Sequence, residues 1–126
     1  MWIDLAWTRE PIARPQIWDA PFDSETGSLA EFYGMVRETE GEEKISGLRY
    51  EAYVSMAEKV MREKIADLGK RHPCQAVRVV HRLGFVPKGE SAIYVGVRSR
   101  RRQEGFLFLQ EFMDEFKKDV PIWKMK

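Results

Sequence analysis

The spacing of hydrophobic and polar positions changes along the chain, and two segments have the repeat of an amphipathic helix. Residues 54–70 place apolar side chains three and four positions apart, with charged side chains between them. Gly69 is placed to end this helix, and Pro73 follows it. Residues 102–118 repeat the pattern. The predicted apolar stripe of this second helix comprises Phe106, Leu109, Phe112, Met113 and Phe116.

Five other segments have the alternating or β-branched character of strands. Gly84 interrupts the third of them and indicates a bulge. The first two are separated by a short polar turn, residues 38–44, which favours a hairpin with a mobile loop. The predicted strands are residues 28–37, 45–53, 76–86, 91–97 and 120–126.

The first 27 residues are predicted to form an irregular arm. Three prolines fall in this stretch, and proline lacks the amide donor that a central strand needs. Only one short strand is expected there, near residues 12–18. The predicted elements together indicate one α+β domain over residues 1–126, with two main helices on one face of a largely antiparallel sheet.

Composition narrows the class of protein. The 126 residues are 44% hydrophobic and 33% charged, which excludes a disordered or low-complexity chain. The lone cysteine, Cys74, excludes an internal disulfide and a multi-cysteine zinc site. No apolar run approaches the ~20 residues that cross a bilayer, and the N-terminus has no leader pattern. We therefore expect a cytoplasmic protein without a membrane partner.

The net charge of +1 hides an uneven distribution. Residues 1–63 hold 7 Lys and Arg against 13 Asp and Glu, whereas residues 64–126 hold 14 against 7. Arg100, Arg101 and Arg102 lie where a strand gives way to a helix, whose first amides point outward. This cluster indicates an anion site. The alternatives are a solvated basic turn or a nucleic-acid surface, and the second is disfavoured because the helix aromatics have core spacing.

A second basic group lies near the C-terminus. Lys124 stands between Trp123 and Met125 in an apolar strand, where burial beside other cations would lower its pKa and make it a base or nucleophile. Lys117 lies in the last helical turn, where a cation is favourable in any case. Arg37 ends the first long strand and either joins the same pocket or faces solvent. Sequence spacing alone does not bring these residues together.

Motifs for metals and cofactors are missing from the sequence. His72, Cys74 and His81 are the only imidazole and thiol groups, and they do not have the spacing of a zinc site. The glycine-rich loops that bind nucleotides are not found, nor are the signatures of catalytic serine or cysteine. We predict no metal, no cofactor, and a Cys74 that is a small buried hydrophobic residue and not a nucleophile.

Three segments taken together resemble the large, catalytic subunit of molybdopterin synthase. The similarity covers roughly residues 28–126, and the motifs are specific only as an ordered series. The segments are GMVRETEGEEKISGLRYEAYVSMAEKVM (34–61), VVHRLGFVPKGESAIYVGVRSRRR (79–102) and MDEFKKDVPIWK (113–124).

The resemblance implies a fold, partners and a reaction. Members of this family have an α/β hammerhead fold, and two copies join two small, ubiquitin-like sulfur-carrier subunits in a heterotetramer. The C-terminal Gly-Gly of the small subunit carries a thiocarboxylate. Its sulfur is transferred to cyclic pyranopterin monophosphate, which makes the dithiolene of molybdopterin.

The resemblance also implies the site residues. Lys117 and Lys124 match two active-site lysines, with Lys124 in acid–base work and Lys117 near the thiocarboxylate and the pterin. Arg37 matches a substrate-binding arginine. His81 and Arg82 match a pair that we interpret as mainly structural. The remaining matches are Arg101 and Arg102, at the pterin phosphate, and Met35, Val36, Met125 and Lys126, which flank the pocket.

The sequence departs from the family pattern at three points. Arg101 stands where histidine is usual, which keeps a charge but loses a proton shuttle near neutral pH. Lys126 stands where an acidic residue is common, and the sequence ends where many relatives continue. These departures leave open an alternative, a non-catalytic paralog that binds a ubiquitin-like partner.

Overall fold

The computed structural model describes all of residues 1–126 as nine strands and two helices. The sequence prediction of an α+β fold with a largely antiparallel sheet and two main helices is confirmed. In chain order the elements are β1 (Trp2–Thr8), β2 (Ser28–Met35), β3 (Thr39–Glu40), β4 (Glu43–Lys44), β5 (Gly47–Ala52), α1 (Val54–Arg71), β6 (Ala76–Arg82), β7 (Gly84–Pro87), β8 (Ser91–Ser99), α2 (Arg102–Asp119) and β9 (Ile122–Met125).

The main sheet has the strand order β1-β6-β8-β2, and only its β1–β6 pair is parallel. Both helices pack on one face of this sheet. Alternate residues of β6 and β8 point to this face because successive strand side chains alternate in direction. They form the core with the buried stripes of the helices. That core includes Ala57, Met61, Ile65, Leu68, Val77, Val79, Ile93, Val95, Val97, Phe108, Phe112 and Phe116.

Residues 9–27 contain no helix or strand and contact the opposite face of the main sheet. Trp18 donates its indole N–H to the hydroxyl of Tyr94 at 3.1 Å, and Arg78 donates to the side-chain oxygen of Gln16. Gly96 permits this contact, because a Cβ at that position would overlap the Trp18 ring and the Tyr94 hydroxyl. The arm therefore covers the face of the main sheet that the two helices leave open.

The prediction of an irregular arm was wrong for its first residues. Trp2–Thr8 forms a strand that runs parallel to β6. All three prolines of the arm follow this strand, so they do not interrupt it. The short strand expected near residues 12–18 does not form, and two prolines at positions 11 and 15 account for this.

A second sheet has the order β7-β5-β9 and is antiparallel throughout. Gly84, with φ of +85°, begins β7 and turns the chain away from β6 into a different sheet, where a bulge within one strand had been predicted. The predicted hairpin between the strands at 28–37 and 45–53 was also wrong. β2 pairs with β8, whereas β5 pairs with β7 and β9.

Both helices extend slightly beyond their predicted ends. α1 continues two residues past Gly69 and ends before Pro73. In α2 the prediction that Phe106 belongs to the core was wrong, since this side chain is 59% exposed and Phe108 is buried in its place. Neither helix combines the length and the apolar character that crossing a membrane requires.

Candidate active site

Strand β9 places three of the candidate residues at the edge of the smaller sheet. Helix α2 ends at Asp119, and Pro121 prevents its continuation, so the chain turns back along β5. Tyr50 lies opposite Lys124, and Arg49 lies opposite Met125. Lys124 lies in β9 and Lys126 directly follows its last residue, so the two side chains are two positions apart and project to the same side.

Lys124 is exposed and has an acidic neighbour. Its Nζ lies 3.3 Å from Oε1 of Glu40, and 54% of the side chain is accessible. The buried, cation-rich environment predicted for this lysine is therefore not present within one chain. Tyr50, opposite Lys124, has its pKa raised by burial and by the charge of Glu40, and it stays protonated at neutral pH.

Lys126 has a similar partner. Its ammonium donates to Oε2 of Glu43 at 2.5 Å, and this hydrogen bond raises the pKa of the lysine. Lys124 and Lys126 are thus held by two glutamates of the same short hairpin. Positive charge is concentrated on β9, and the hairpin partly neutralises it.

The end of β2 brings three further candidates to the same region. Arg37 is exposed and directly precedes the segment that carries Glu40. Met35 is exposed, and a guanidinium nitrogen of Arg14 lies 3.4 Å from its sulfur. Val36 differs, because its side chain is buried in the small core of Leu48, Val86 and Ala92. Val36 therefore supports this region from beneath and does not line a pocket.

Helix α2 separates the remaining candidates. Arg101 precedes the first turn and Arg102 begins it, and both are exposed. Lys117 is exposed in the last turn. At 1.5 Å of rise per residue, Arg101 and Lys117 are about 24 Å apart along the axis. One chain therefore places Arg37, Lys124 and Lys126 around the hairpin, but places Arg101 and Arg102 at the far end of the helix.

The other groups capable of chemistry are inert at neutral pH. Burial, with a smaller contribution from Glu104, raises the pKa of the Cys74 thiol to about 12. Burial lowers the pKa of His81 to about 4, so its imidazole is neutral. Arg82 is buried and donates to Oε1 of Glu90 at 2.6 Å. Within one chain these residues contribute to packing and to a partly buried ion pair.

Sequence reasoning missed the acidic partners of the lysines. Glu40 and Glu43 were assigned only to a polar turn, and Arg14 only to the arm. A signal was present, since four of the six residues from 38 to 43 are glutamates and the C-terminal segment is rich in lysine. The ion pairs themselves join positions more than 80 residues apart, and no local pattern encodes such a distance. No group of three or more His, Cys, Asp or Glu side chains is placed to hold a metal ion.

Comparisons with known proteins identify the family. The chain is 31% identical over 120 residues to the human molybdopterin synthase catalytic subunit, covering 95% of this chain and 64% of that protein. It is 37% identical to the catalytic subunit from Vibrio cholerae, over 80% of this chain and 67% of the relative. The chain thus spans about two thirds of the length of these relatives.

The fold agrees with this relationship. The crystal structure of molybdopterin synthase from Staphylococcus aureus superimposes with a TM-score of 0.84 and 30% identity, over 94% of this chain and 86% of that one. The sequence model of the MoaE protein family matches residues 7–119, which include β2 through the end of α2. The chain belongs to the MoaE protein family.

Proposed function

We propose that this protein is the catalytic subunit of a molybdopterin synthase. It transfers sulfur from the thiocarboxylated C-terminus of a small ubiquitin-like subunit to cyclic pyranopterin monophosphate. The observation that carries this proposal is the exposed pair Lys124 and Lys126 at the end of β9, which contacts the hairpin that follows Arg37, in a chain of this family. Such a surface can hold two anionic groups, a thiocarboxylate and a phosphate.

The chain has no reactive cysteine of its own, as is expected when the sulfur comes from a partner. Cys74 is its only cysteine, and a thiol with a pKa of about 12 is protonated at neutral pH and is a poor nucleophile. The chain's own task is then to bind, to orient and to move protons. The free thiol also fits the reducing conditions of the cytoplasm, where we place the reaction.

The lysines have distinct roles in this proposal. The ammonium of Lys124 orients the anionic reactant and donates a proton to the oxygen that the thiocarboxylate sulfur displaces from the pterin side chain. Water then cleaves the resulting thioester, which leaves the sulfur on the pterin and a carboxylate on the small subunit. A group that is exposed before the reactants arrive becomes desolvated when they cover it, and its charge then acts more strongly. Lys117, close to β9 along the chain, holds the thiocarboxylate, and Arg37 binds the pterin.

The length of α2 favours a site built from two copies of the chain. Arg101 and Arg102 lie about 24 Å from Lys117 along the helix, which is too far for one pterin phosphate to reach both. In a twofold dimer the helix N-terminus of one copy can approach β9 of the other. The two arginines then bind the phosphate while Lys124 of the other copy acts at the reacting carbon.

Reconstitution tests the proposed function. The protein is mixed with a thiocarboxylated small subunit and cyclic pyranopterin monophosphate, and molybdopterin is measured. We expect product from the unaltered protein and a large loss of turnover in Lys124→Ala with the fold intact. Lys117→Ala is compared with Lys118→Ala, which removes the neighbouring exposed cation and should leave turnover unchanged.

The results of this reconstitution distinguish the proposed synthase from the non-catalytic paralog and test the role of Lys124. Normal turnover in Lys124→Ala overturns the role of this lysine. A stable complex with the small subunit that makes no product supports the non-catalytic paralog instead. Neither complex nor product, with a small subunit active on another synthase, overturns the proposed function.

A further inference from the structure

Strands β3 and β4 form a small hairpin that stands apart from both larger sheets. It is a two-stranded sheet of its own, and neither strand pairs with any other. Its residues are exposed except for Glu40, which is partly buried. The hairpin begins two residues after Arg37, ends three residues before β5, and contacts Lys124 and Lys126 of the proposed active site.

The hairpin is strongly acidic, and its glutamates contact lysines. Glu40 and Glu43 lie directly opposite each other across the hairpin, so their side chains project to one side. Glu40 contacts Lys124 at 3.3 Å and Glu43 contacts Lys126 at 2.5 Å. Two carboxylates of one hairpin therefore meet the ammonium groups of Lys124, in β9, and of Lys126, which follows it.

These carboxylates occupy the positions that an anionic ligand needs. A lysine bound to a glutamate can accept a phosphate or a carboxylate only after that glutamate moves away or shares the ammonium. The Glu43–Lys126 pair is solvent-exposed and the Glu40–Lys124 pair is partly exposed, and ion pairs in contact with solvent contribute little to stability. The hairpin has no backbone hydrogen bonds to a neighbouring strand that would resist its movement. It is therefore weakly held and can be displaced.

We propose that the β3–β4 hairpin is an acidic gate, in which Glu40 and Glu43 occupy Lys124 and Lys126 until an anionic ligand displaces them. This inference deepens the proposed function and rests on its use of Lys124 and Lys126. The gate discriminates against weakly held anions, because each must compete with a carboxylate that is already in place. The common chemistry of its ligands is an anionic group, supplied by a C-terminal carboxylate or by a phosphate.

Binding measurements on two matched variants test the gate. Glu40→Gln/Glu43→Gln removes both carboxylates that contact β9. Glu38→Gln/Glu42→Gln changes the net charge equally, but Glu38 contacts Lys88 and Glu42 forms no ion pair. The probes are inorganic phosphate and a short peptide ending in Gly-Gly, with a free or an amidated C-terminus. Comparing phosphate with the two peptides identifies which anion opens the gate.

We expect Glu40→Gln/Glu43→Gln to bind at least one anionic probe about three- to tenfold more tightly than the unaltered protein, a range set by the strength of exposed ion pairs. The control variant should change affinity less than about twofold. Adding Lys124→Gln to that variant should reduce the gain, since Lys124 is one of the two freed lysines that bind the probe. In the unaltered protein, saturation with the probe should accelerate hydrogen exchange in residues 39–44.

Equal gains in both double variants overturn the gate, because they reflect net charge alone. Weaker binding in Glu40→Gln/Glu43→Gln, or no measurable binding of any probe to that variant, also overturns it. Reconstitution keeps the two proposals distinguishable. If Glu40→Gln/Glu43→Gln binds the probe more tightly but the unaltered protein forms no molybdopterin, the gate is supported and the proposed function is overturned. If the unaltered protein forms molybdopterin but the affinity of the variant is unchanged, the proposed function is supported and the gate is overturned.

Discussion

The imidazole of His81 stacks on the ring of Phe116, with 6.0 Å between the ring centroids and 14° between the planes. Trp7 and Tyr50 lie within 6.0 Å of the same imidazole. The only hydrogen bond of the ring is to the carbonyl of Arg82, at 2.8 Å from Nδ1. This contact joins the main sheet, helix α2 and the smaller sheet around one neutral imidazole.

Acid should destabilise the fold through His81. Burial lowers its pKa from 6.5 to about 4, so the unfolded chain binds the proton more readily than the folded one. The stability that the neutral ring provides is complete above pH 6.5 and is lost as the pH falls toward 4. The loss between pH 7 and pH 4 is about 3 kcal/mol.

Urea unfolding at pH 7, 5 and 4 measures this effect. Carboxylates also titrate in this range, so His81→Phe serves as the reference, since it keeps an aromatic ring and removes the titration. The free energy of unfolding of the unaltered protein should fall more steeply with acid than that of the variant. An equal fall in the free energy of unfolding with acid for the two proteins would show that His81 is not responsible for the loss of stability.

The buried guanidinium of Arg82 should depend on Glu90. Arg82 is 8% exposed, and Glu90 is its only ion-pair partner. Glu90→Gln leaves the cation without a charged partner and should lower the free energy of unfolding by about 1–3 kcal/mol. The control is Glu38→Gln, which breaks the exposed pair with Lys88 and should cost less than about 0.5 kcal/mol. Equal losses in chemical denaturation would argue against a special role for Arg82.

Two phenylalanines of α2 should respond very differently to truncation. Phe112 is fully buried, and Phe112→Ala should cost about 3–5 kcal/mol through lost burial and the cavity that remains. Phe106 is 59% exposed, and Phe106→Ala should change stability by less than about 0.5 kcal/mol. Thermal and urea unfolding of both variants measure this difference in stability. A large loss of stability in Phe106→Ala would show that Phe106 is packed in the core after all.

Mixing two inactive variants tests a site shared between copies. Arg101→Ala and Lys124→Ala each remove one end of the proposed site. If the two residues act from different copies, a mixed dimer regains one intact site. Random pairing of equal amounts should then restore about a quarter of full activity, because half of the dimers are mixed and each has one working site. Restoration of no activity after verified subunit exchange would place both residues in the same copy.

Local pattern was sufficient for most of the elements of this protein. The three- and four-residue spacing of apolar side chains located α1 and α2 to within two residues at each end, because a helix repeats over a distance that short sequence windows contain. The alternation near residues 91–97 likewise predicted β8. These elements depend on side chains that are neighbours in sequence as well as in space.

Strand pairing was decided by the tertiary structure. β1 was missed because a short edge strand carries little pattern of its own, and it is stabilised by its parallel register with β6, more than 70 residues away. The turn at 38–44 suggested that its flanking strands pair with each other. They joined different sheets instead, since β8 provides β2 with a longer apolar partner.

The sequence by itself determined the fold class, the two helices and the set of basic residues that carries the proposed chemistry. Only the tertiary structure decided which of these residues meet. It placed Lys124 and Lys126 beside the acidic hairpin, and it set Arg101 at the far end of α2 from Lys117. The physical reason is that charge and periodicity are local properties of a chain, whereas an ion pair between Glu40 and Lys124 requires two distant segments to be brought together by the packing of the sheets between them.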